Sequence, residues 1–390
     1  MITGKDYFPS KLAKGDRFCN RLKEKEMLRR NIELARHTVL VAPRRYGKSS
    51  LVHQVLSQVE LPYADIDLFL AHNDQAIVRR ILDGLAGLFS QIMPLSQKAM
   101  VALQKYFSHI QVGLMASGFS LQAIHTSGGG LDVVEQIYEA LKGLAELAKQ
   151  ENKKIVIFID EFQDIENAES SRSIQGAIRN VAQNTDHLVF IFSGSARHLL
   201  LQLFDERSQP LYLLCDKMNL DRMTSQHYEP YVQEAVISKW GRKLEPEAFK
   251  KMMLLTELHP FYVNMLGNEL LQSEIFPGDT EVLASWVRCV SNEKRRVVSQ
   301  LDALTLNQLK VLKTLSFNPI MEPYAHDFLV SVGLSVSSVK ASLKALLEKD
   351  LVFQVTFEDE LVSSFKRHQY RVLDPLLSFS LRYWESGAVF

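Results

Sequence analysis

IVIFIDEFQDI, residues 155–165, sets five apolar residues against a pair of carboxylates, Asp160 and Glu161. An unbroken apolar run of this length fits a strand buried on both faces, as in parallel sheets. The two acids then stand at its carboxyl end, the edge where ligands bind in open α/β sheets. An acidic turn after a strand is often no more than a solvated bend. Its meaning depends on what else the chain brings to that edge.

The stretch VAPRRYGKSS, residues 41–50, brings a phosphate loop. It matches G-x-x-x-x-G-K-S/T at Gly47-Lys48-Ser49 and departs from it at Ala42. Gly47 lets backbone N–H groups approach phosphates, Lys48 reaches the β and γ oxygens, and Ser49 can ligate Mg²⁺. The helix that follows points its positive end at the same phosphates. Ala42 precedes a proline and is expected to be extended, so the turn need not demand positive φ there. Paired with this loop, Asp160 is expected to hold Mg²⁺ through water and Glu161 to polarise an attacking water. A third apolar run, Leu188–Phe192, leads into Ser193-Gly194-Ser195. Ser193 is the first candidate to sense a γ-phosphate and Ser195 the second, an ordinary Ser-Gly turn being the alternative.

The rest of the chain sets the frame. Its 390 residues exceed one compact core and point to two or three domains. With 45 basic and 45 acidic residues, no global field draws the chain to nucleic acid or an anionic membrane. Cys19, Cys215 and Cys289 are far apart with no CxxC pair, against a zinc ribbon, redox motif or disulfide framework. No segment approaches the ~20 uninterrupted apolar residues of a membrane span. The N-terminus shows no apolar signal core, so a cytoplasmic protein is expected.

Around the loop, the spacing predicts a helix over 21–35, a short strand from Thr38 to Val41, a helix from Ser49 to Val59 and a strand over 63–69. Helical pattern follows from 75 to about 107, then a hairpin around Ser117-Gly118, a turn at Ser127 to Gly130 and a helix over 131–149. Strands alternating with helices imply a parallel sheet covered on both faces. After Leu220 helices take over, and the last ninety or so residues end in two strand-like runs, VFQVTF and HQYRVLD.

Several motifs together resemble the AAA+-type ATPases of the STAND-related archaeal ATPase family. They are Phe18-Cys19-Asn20-Arg21-Leu22-Lys23-Glu24, the loop from Pro43 to Ser50, the strand from Ile157 to Phe162, and Gly194-Ser195. Pro210-Leu211-Tyr212 and His259-Pro260-Phe261-Tyr262 resemble two further signatures, and Asp374-Pro375-Leu376 with Leu381-Arg382-Tyr383-Trp384 the family's end. The resemblance implies a P-loop core over 1–223, a helical lid over 224–300 and a winged-helix-like domain over 301–390. It implies an ATPase using ATP and Mg²⁺, with Pro43, Arg44, Arg45, Tyr46, Gly47, Lys48, Ser49 and Ser50 around the phosphates. Phe18, Asn20 and Arg21 would lie by the adenine. It makes Ala42 a family variation. Arg44 and Arg45 either cover the triphosphate or pair with acids. Relatives carry Gly-Arg after Pro-Leu-Tyr where this chain has Leu213-Leu214, leaving Arg197, Arg207 and Lys217 as arginine-finger substitutes.

Three function classes follow: a nucleotide-driven switch or remodelling ATPase, an ATP-controlled DNA-binding regulator, and a kinase. Asp160-Glu161 favours water as acceptor, and no kinase catalytic loop is visible. In the C-terminal module, Lys340 and Lys344 stand one helical turn apart, which permits phosphate contact. The expected wing tip, Glu358-Asp359-Glu360, would repel phosphates, and Lys366-Arg367-His368 partly offsets it. A protein partner is therefore expected ahead of DNA, with no membrane contact and a homo-oligomer among the open states.

Overall fold

The computed structural model describes residues 7–9, 11–13, 15–107, 109–123, 125–126, 129–130, 132–358 and 366–383. Two compact units result: Leu12–Asp221, and Arg222–Phe390 together with Met1–Lys11. The division falls beside the expected boundary at 223. Segments 224–300 and 301–390 share the second unit, which also takes in the first eleven residues.

The strands of the first unit are, in chain order, β1 (Thr38–Val41), β2 (Tyr63–Asp67), β3 (Ile110–Met115), β4 (Gly118–Ala123), β5 (His125–Thr126), β6 (Gly129–Gly130), β7 (Ile155–Asp160), β8 (Leu188–Gly194) and β9 (Asp216–Asn219). Five of them form one sheet in the order β2-β7-β8-β1-β9, and every pairing is parallel. The burial follows the sequence: β1 and β8 are buried throughout and β7 up to Ile159, whereas edge strand β2 alternates. After β1 the chain crosses over β8 and β7 to reach β2; after β8 it crosses over β1 to reach β9. Connections thus leave neighbouring strands in opposite directions, which opens a crevice at their carboxyl ends.

The expected hairpin forms as β3 and β4, with Gly118 at φ 145° in its turn. Two expectations are corrected. The helical pattern over 75–107 is two helices, Asp74–Ile92 and Gln97–Gln104, separated around Pro94. Met93, before the proline, is extended, and Ser96 caps the second helix by accepting from Ala99 N–H. The parallel sheet also has a strand beyond those read from the sequence, because DKMN in β9 carries almost no β propensity and is buried only at Met218. Pairing with β1 makes it a strand. Residues 127 and 128 of the expected turn lie outside the described residues.

His37 anchors the start of β1. Its Nδ1 accepts from Phe190 N–H at 3.2 Å, while Nε2 lies 3.2 Å from the Ala182 carbonyl. Both contacts are met by the neutral ring with its proton on Nε2. Burial pushes its pKa below the ordinary value. Its contribution to stability is therefore complete above the unfolded pKa of about 6.5 and is lost as pH falls below it. The urea midpoint should drop from pH about 7.5 to about 5.5, with a shallower slope in His37→Gln. An identical slope in that variant would remove His37 from the account.

The second unit carries helices Ser225–Trp240, Pro246–Thr256, Pro260–Gln272, Asp279–Asn292, Lys294–Asp302, Leu306–Phe317, His326–Val332, Val336–Glu348 and Pro375–Tyr383, with β10 (Val352–Glu358) and β11 (Lys366–Val372) paired antiparallel. Ile320 adds an isolated bridge to Tyr370. His259 caps the Pro260 helix, its Nδ1 accepting from Phe261 N–H, with proline at the first helical position. The tail of the chain is tied to this region by charge. Arg296 bonds Asp374 at 2.9 Å and the Tyr262 hydroxyl at 3.1 Å, and Arg222 bonds Glu257 at 2.9 Å and the Leu373 carbonyl at 2.7 Å. Two motifs far apart in sequence, around Tyr262 and Asp374, thus meet on one arginine. Phe8 of the N-terminal segment stands edge-on to Tyr231, whose hydroxyl accepts from Phe8 N–H. Among the described residues no single helix is long and apolar enough to cross a membrane. Asp359, Glu360 and Trp384 lie outside the described residues, and so do the side chains of Lys366 and Arg367.

Candidate nucleotide site

The loop after β1 supplies its turn without a glycine at its opening. Ala42 is buried and is not among the positive-φ residues; Arg45 at φ 65° and Gly47 at φ 86° take the left-handed positions instead. An alanine Cβ at Gly47 would meet no atom within 4 Å, so glycine is required there for its backbone angle alone. Gly47 ends the loop at the helix Lys48–Val59. Lys48 is 6% exposed, and its ammonium donates to the carbonyls of Ala42 at 3.0 Å and Pro43 at 3.2 Å. The cation is thereby centred over its own loop.

Arg21 buttresses that loop from behind. Its buried guanidinium donates to the Tyr46 carbonyl at 3.2 Å and the Asp221 carbonyl at 2.9 Å, and pairs with Glu24. Asn20 and Arg21 both have positive φ, and the Asn20 side chain accepts from Leu22 N–H. Phe18 is half-buried with the Lys25 ammonium 5.7 Å from its ring. Ser50 accepts from Ala13 N–H at 3.2 Å, tying the preceding segment to the helix.

Asp160 joins the three strand ends. Ser49 donates to its Oδ2 at 2.5 Å, and Ser193 donates to its Oδ1. The phosphate-loop helix, β7 and β8 therefore converge on one carboxylate. A hydroxyl and a carboxylate in contact are hard oxygen donors of the kind Mg²⁺ takes, and Mg²⁺ is commonly held by one or two such groups with phosphates and water supplying the rest. The described residues contain no cluster of three or more His, Cys, Asp or Glu that would cage a metal unaided. The donor set fits Mg²⁺ delivered with a nucleotide.

Glu161 donates its backbone N–H to Asp160 Oδ1 at 3.0 Å, while its own carboxylate takes other partners. It sits at φ 49°, and its Oε2 accepts from Ser195 N–H at 2.9 Å, Ser195 Oγ–H at 2.8 Å and Gln163 Nε2 at 2.9 Å. Arg44 Nε in turn donates to Ser195 Oγ at 3.1 Å. Gln163 also reaches Asp164, whose carboxyl burial pushes above its ordinary range. The two serines considered as phosphate sensors thus divide their contacts: Ser193 goes to Asp160 and Ser195 to Glu161. Of the arginine-finger substitutes, Lys217 pairs with Asp205 and Arg207 is exposed.

Gln163 was not legible as a site residue. Its amide is 5% exposed, with Oε1 pressed against Gly194: a Cβ there would lie 2.0 Å from that oxygen. A side chain at Gly194 would have to displace the Gln163 amide, whose Nε2 is bonded to Glu161 and Asp164. Gly194→Ala is expected to cost about 1–3 kcal/mol of stability by overpacking. Combining it with Gln163→Ala should recover much of that loss, a coupling read from urea denaturation of both single variants and the double. Additive effects would mean the two groups do not press on each other.

A central parallel sheet with a phosphate loop after β1 and carboxylates after β7 gives the chain a P-loop NTPase fold. Among solved structures, it is similar to the Walker-type ATPase of Pyrococcus abyssi, at 16% identity and a TM-score of 0.66 over 96% of this chain and 99% of that one. It is also similar to the ORC2 protein of Aeropyrum pernix in its ADPNP–ADP complexes, at 12% identity and a TM-score of 0.51 over 96% and 98% of the two chains. No protein-family profile matches the sequence, and no curated protein matches it. These likenesses concern the fold.

Proposed function

We propose that the chain binds Mg²⁺-ATP at the carboxyl edge of β1, β7 and β8, hydrolyses it, and acts as a nucleotide-driven conformational switch or remodelling ATPase. The observation that carries this reading is Asp160, whose two oxygens take the hydroxyls of Ser49 and Ser193 from opposite sides. Ser49 and Asp160 would hold Mg²⁺, which when bound neutralises phosphate charge. Lys48 exchanges its two carbonyl partners for β and γ phosphate oxygens, and the backbone N–H groups up to Gly47 take the remainder. Glu161 orients and deprotonates the attacking water. Its Oε2 already accepts three hydrogen bonds, so the Ser195 clasp has to loosen before that oxygen is open to a water proton. Arg44, bonded to Ser195, is placed to couple that loosening to the phosphates.

Phosphate release from ATP, with no added acceptor, tests the reading. Release that requires Mg²⁺ supports hydrolysis; its absence, with phosphate passed only to an added acceptor, favours a kinase. Closer kinship to the STAND-related ATPases belongs to the same proposal, with Phe18, Asn20 and Arg21 near the adenine. So does a reducing, cytoplasmic setting, which three free cysteines fit. A protein partner is the expected target of the switch. Glu161→Gln loaded with ATP is the form to use for its capture, and for asking whether the chain self-associates.

The second reading is an ATP-controlled DNA-binding regulator. Three helices from Leu306 to Glu348, followed by the β10–β11 pair and the Ile320–Tyr370 bridge, support a winged helix. Against DNA, Lys344 lies 3.7 Å from Glu348, which tempers the short basic stripe. Retention on DNA that falls with salt would favour this second reading.

A further inference from the structure

We propose that Gln163 is a positioning residue for hydrolysis: it keeps the Glu161 carboxylate in place once Ser195 lets go, and Asp164 and the turn after β2 hold Gln163 there. This rests on the hydrolytic reading above and names what holds its base.

The chain bends where the base stands. Glu161, at φ 49°, precedes a short 3-10 helix, Phe162–Asn167. Phe162 and Ile165 of that helix are fully buried, and Asp164 N–H donates to the Glu161 carbonyl at 3.0 Å. The backbone at Glu161 is thereby set. Its long side chain still needs partners to fix the carboxylate.

Those partners fall into two groups. Ser195 follows β8, and its hydroxyl also accepts from Arg44 of the phosphate loop. Its bonds are therefore open to change when the loop fills. Gln163 has no such tie. Its Nε2 places one hydrogen on Glu161 Oε2 at 2.9 Å and one on Asp164 Oδ1 at 3.1 Å. Ionised carboxylates only accept, so the opposite amide orientation would set Oε1 against two of them. Oε1 instead faces Gly194, buried and without a hydrogen-bond partner among the described residues. An unpaired buried oxygen is unfavourable, and an apolar side chain of similar size would fill this place without it. The two donor bonds are what the amide adds.

Asp164 carries the support outward. Its Oδ2 accepts from Leu70 N–H at 3.3 Å, in the turn after β2. That turn is itself tied down. Leu68 N–H donates to the Asp160 carbonyl at 3.1 Å, Ala71 N–H to the Leu68 carbonyl at 2.9 Å, and Asn167 Nδ2 to the Ala71 carbonyl at 3.0 Å. A run of bonds thus leads from this turn through Asp164 and Gln163 to Glu161, and none of its members belongs to the phosphate loop. When the Ser195 bonds open, Oε2 keeps a single donor, which leaves room for a water proton while the carboxylate stays in place.

Gln163→Met keeps the side-chain volume and removes both donors. In the full chain with Mg²⁺-ATP, its single-turnover rate should fall by about tenfold or more, as expected when a reacting group is misplaced. ATP affinity should stay within about twofold of wild type. Placed in the Glu161→Gln background, the same substitution should lower the residual rate no further, because Gln163 acts through Glu161. Asp164→Ala, at a half-buried position outside the core, should show the same pattern with a smaller loss. An unchanged rate in either variant, or a parallel loss of ATP affinity, overturns the proposal. So does the full loss repeated in the Glu161→Gln background, which would make Gln163 a packing residue only. Absence of Mg²⁺-dependent turnover in wild type is a different result: it removes the hydrolytic reading itself, and this inference with it.

Discussion

Glu161→Gln is expected to keep wild-type affinity for Mg²⁺-ATP and to lose at least about 10²-fold in turnover, the usual contribution of a general base. The amide keeps an oxygen able to accept from Ser195 and Gln163, so the clasp and the fold survive. What disappears is the group able to take a proton from water. Nucleotide binding and single-turnover kinetics separate the two effects. A variant that loses affinity and turnover equally would make Glu161 part of the binding surface instead.

Lys48→Ala is expected to lose ATP affinity by about 10²-fold or more, since a charge-assisted bond to phosphate is removed from a 6% exposed position. The carbonyls of Ala42 and Pro43 lose their partner as well. Stability in the absence of nucleotide should change far less than affinity, because the loop angles rest on Arg45 and Gly47 and its underside on Arg21. Fluorescent ATP binding alongside thermal melting checks this. Undiminished affinity in the variant would move the phosphates elsewhere.

Local chemistry made the main site legible. An apolar run ending in two acids and a glycine-lysine-serine before a helix each carry their meaning within a few residues, and Ser49 and Asp160 meet at one edge of the sheet. Relations across the chain were not legible. Nothing in DEFQD announces that Gln163 turns back on Glu161, because that contact depends on how closely β8 approaches through Gly194. Nor does the sequence give Arg21 its place beneath Tyr46, a role that arises when a left-handed residue aims a long side chain inward. β9 shows the same limit, since DKMN forms a strand only because β1 offers it an edge. Pro94, by contrast, could have divided the helix over 75–107 from sequence alone; apolar periodicity on both sides masked it.

The clasp on Glu161 also gives a physical account of how turnover can be kept low. Three donors occupy one oxygen of Glu161, and Ser195, which supplies two of them, is itself bonded to an arginine of the phosphate loop. On the proposed mechanism, occupation of the loop would reach Glu161 through Arg44 and Ser195.

Hydrolysis in heavy-oxygen water tests the central claim most directly, that Glu161 delivers water to a phosphate held beside Asp160. Wild type with Mg²⁺-ATP is predicted to release phosphate carrying one solvent oxygen, and Glu161→Gln to release almost none over the same period while still holding ATP. Phosphate without solvent oxygen, or release from the variant at the wild-type rate, would contradict the account.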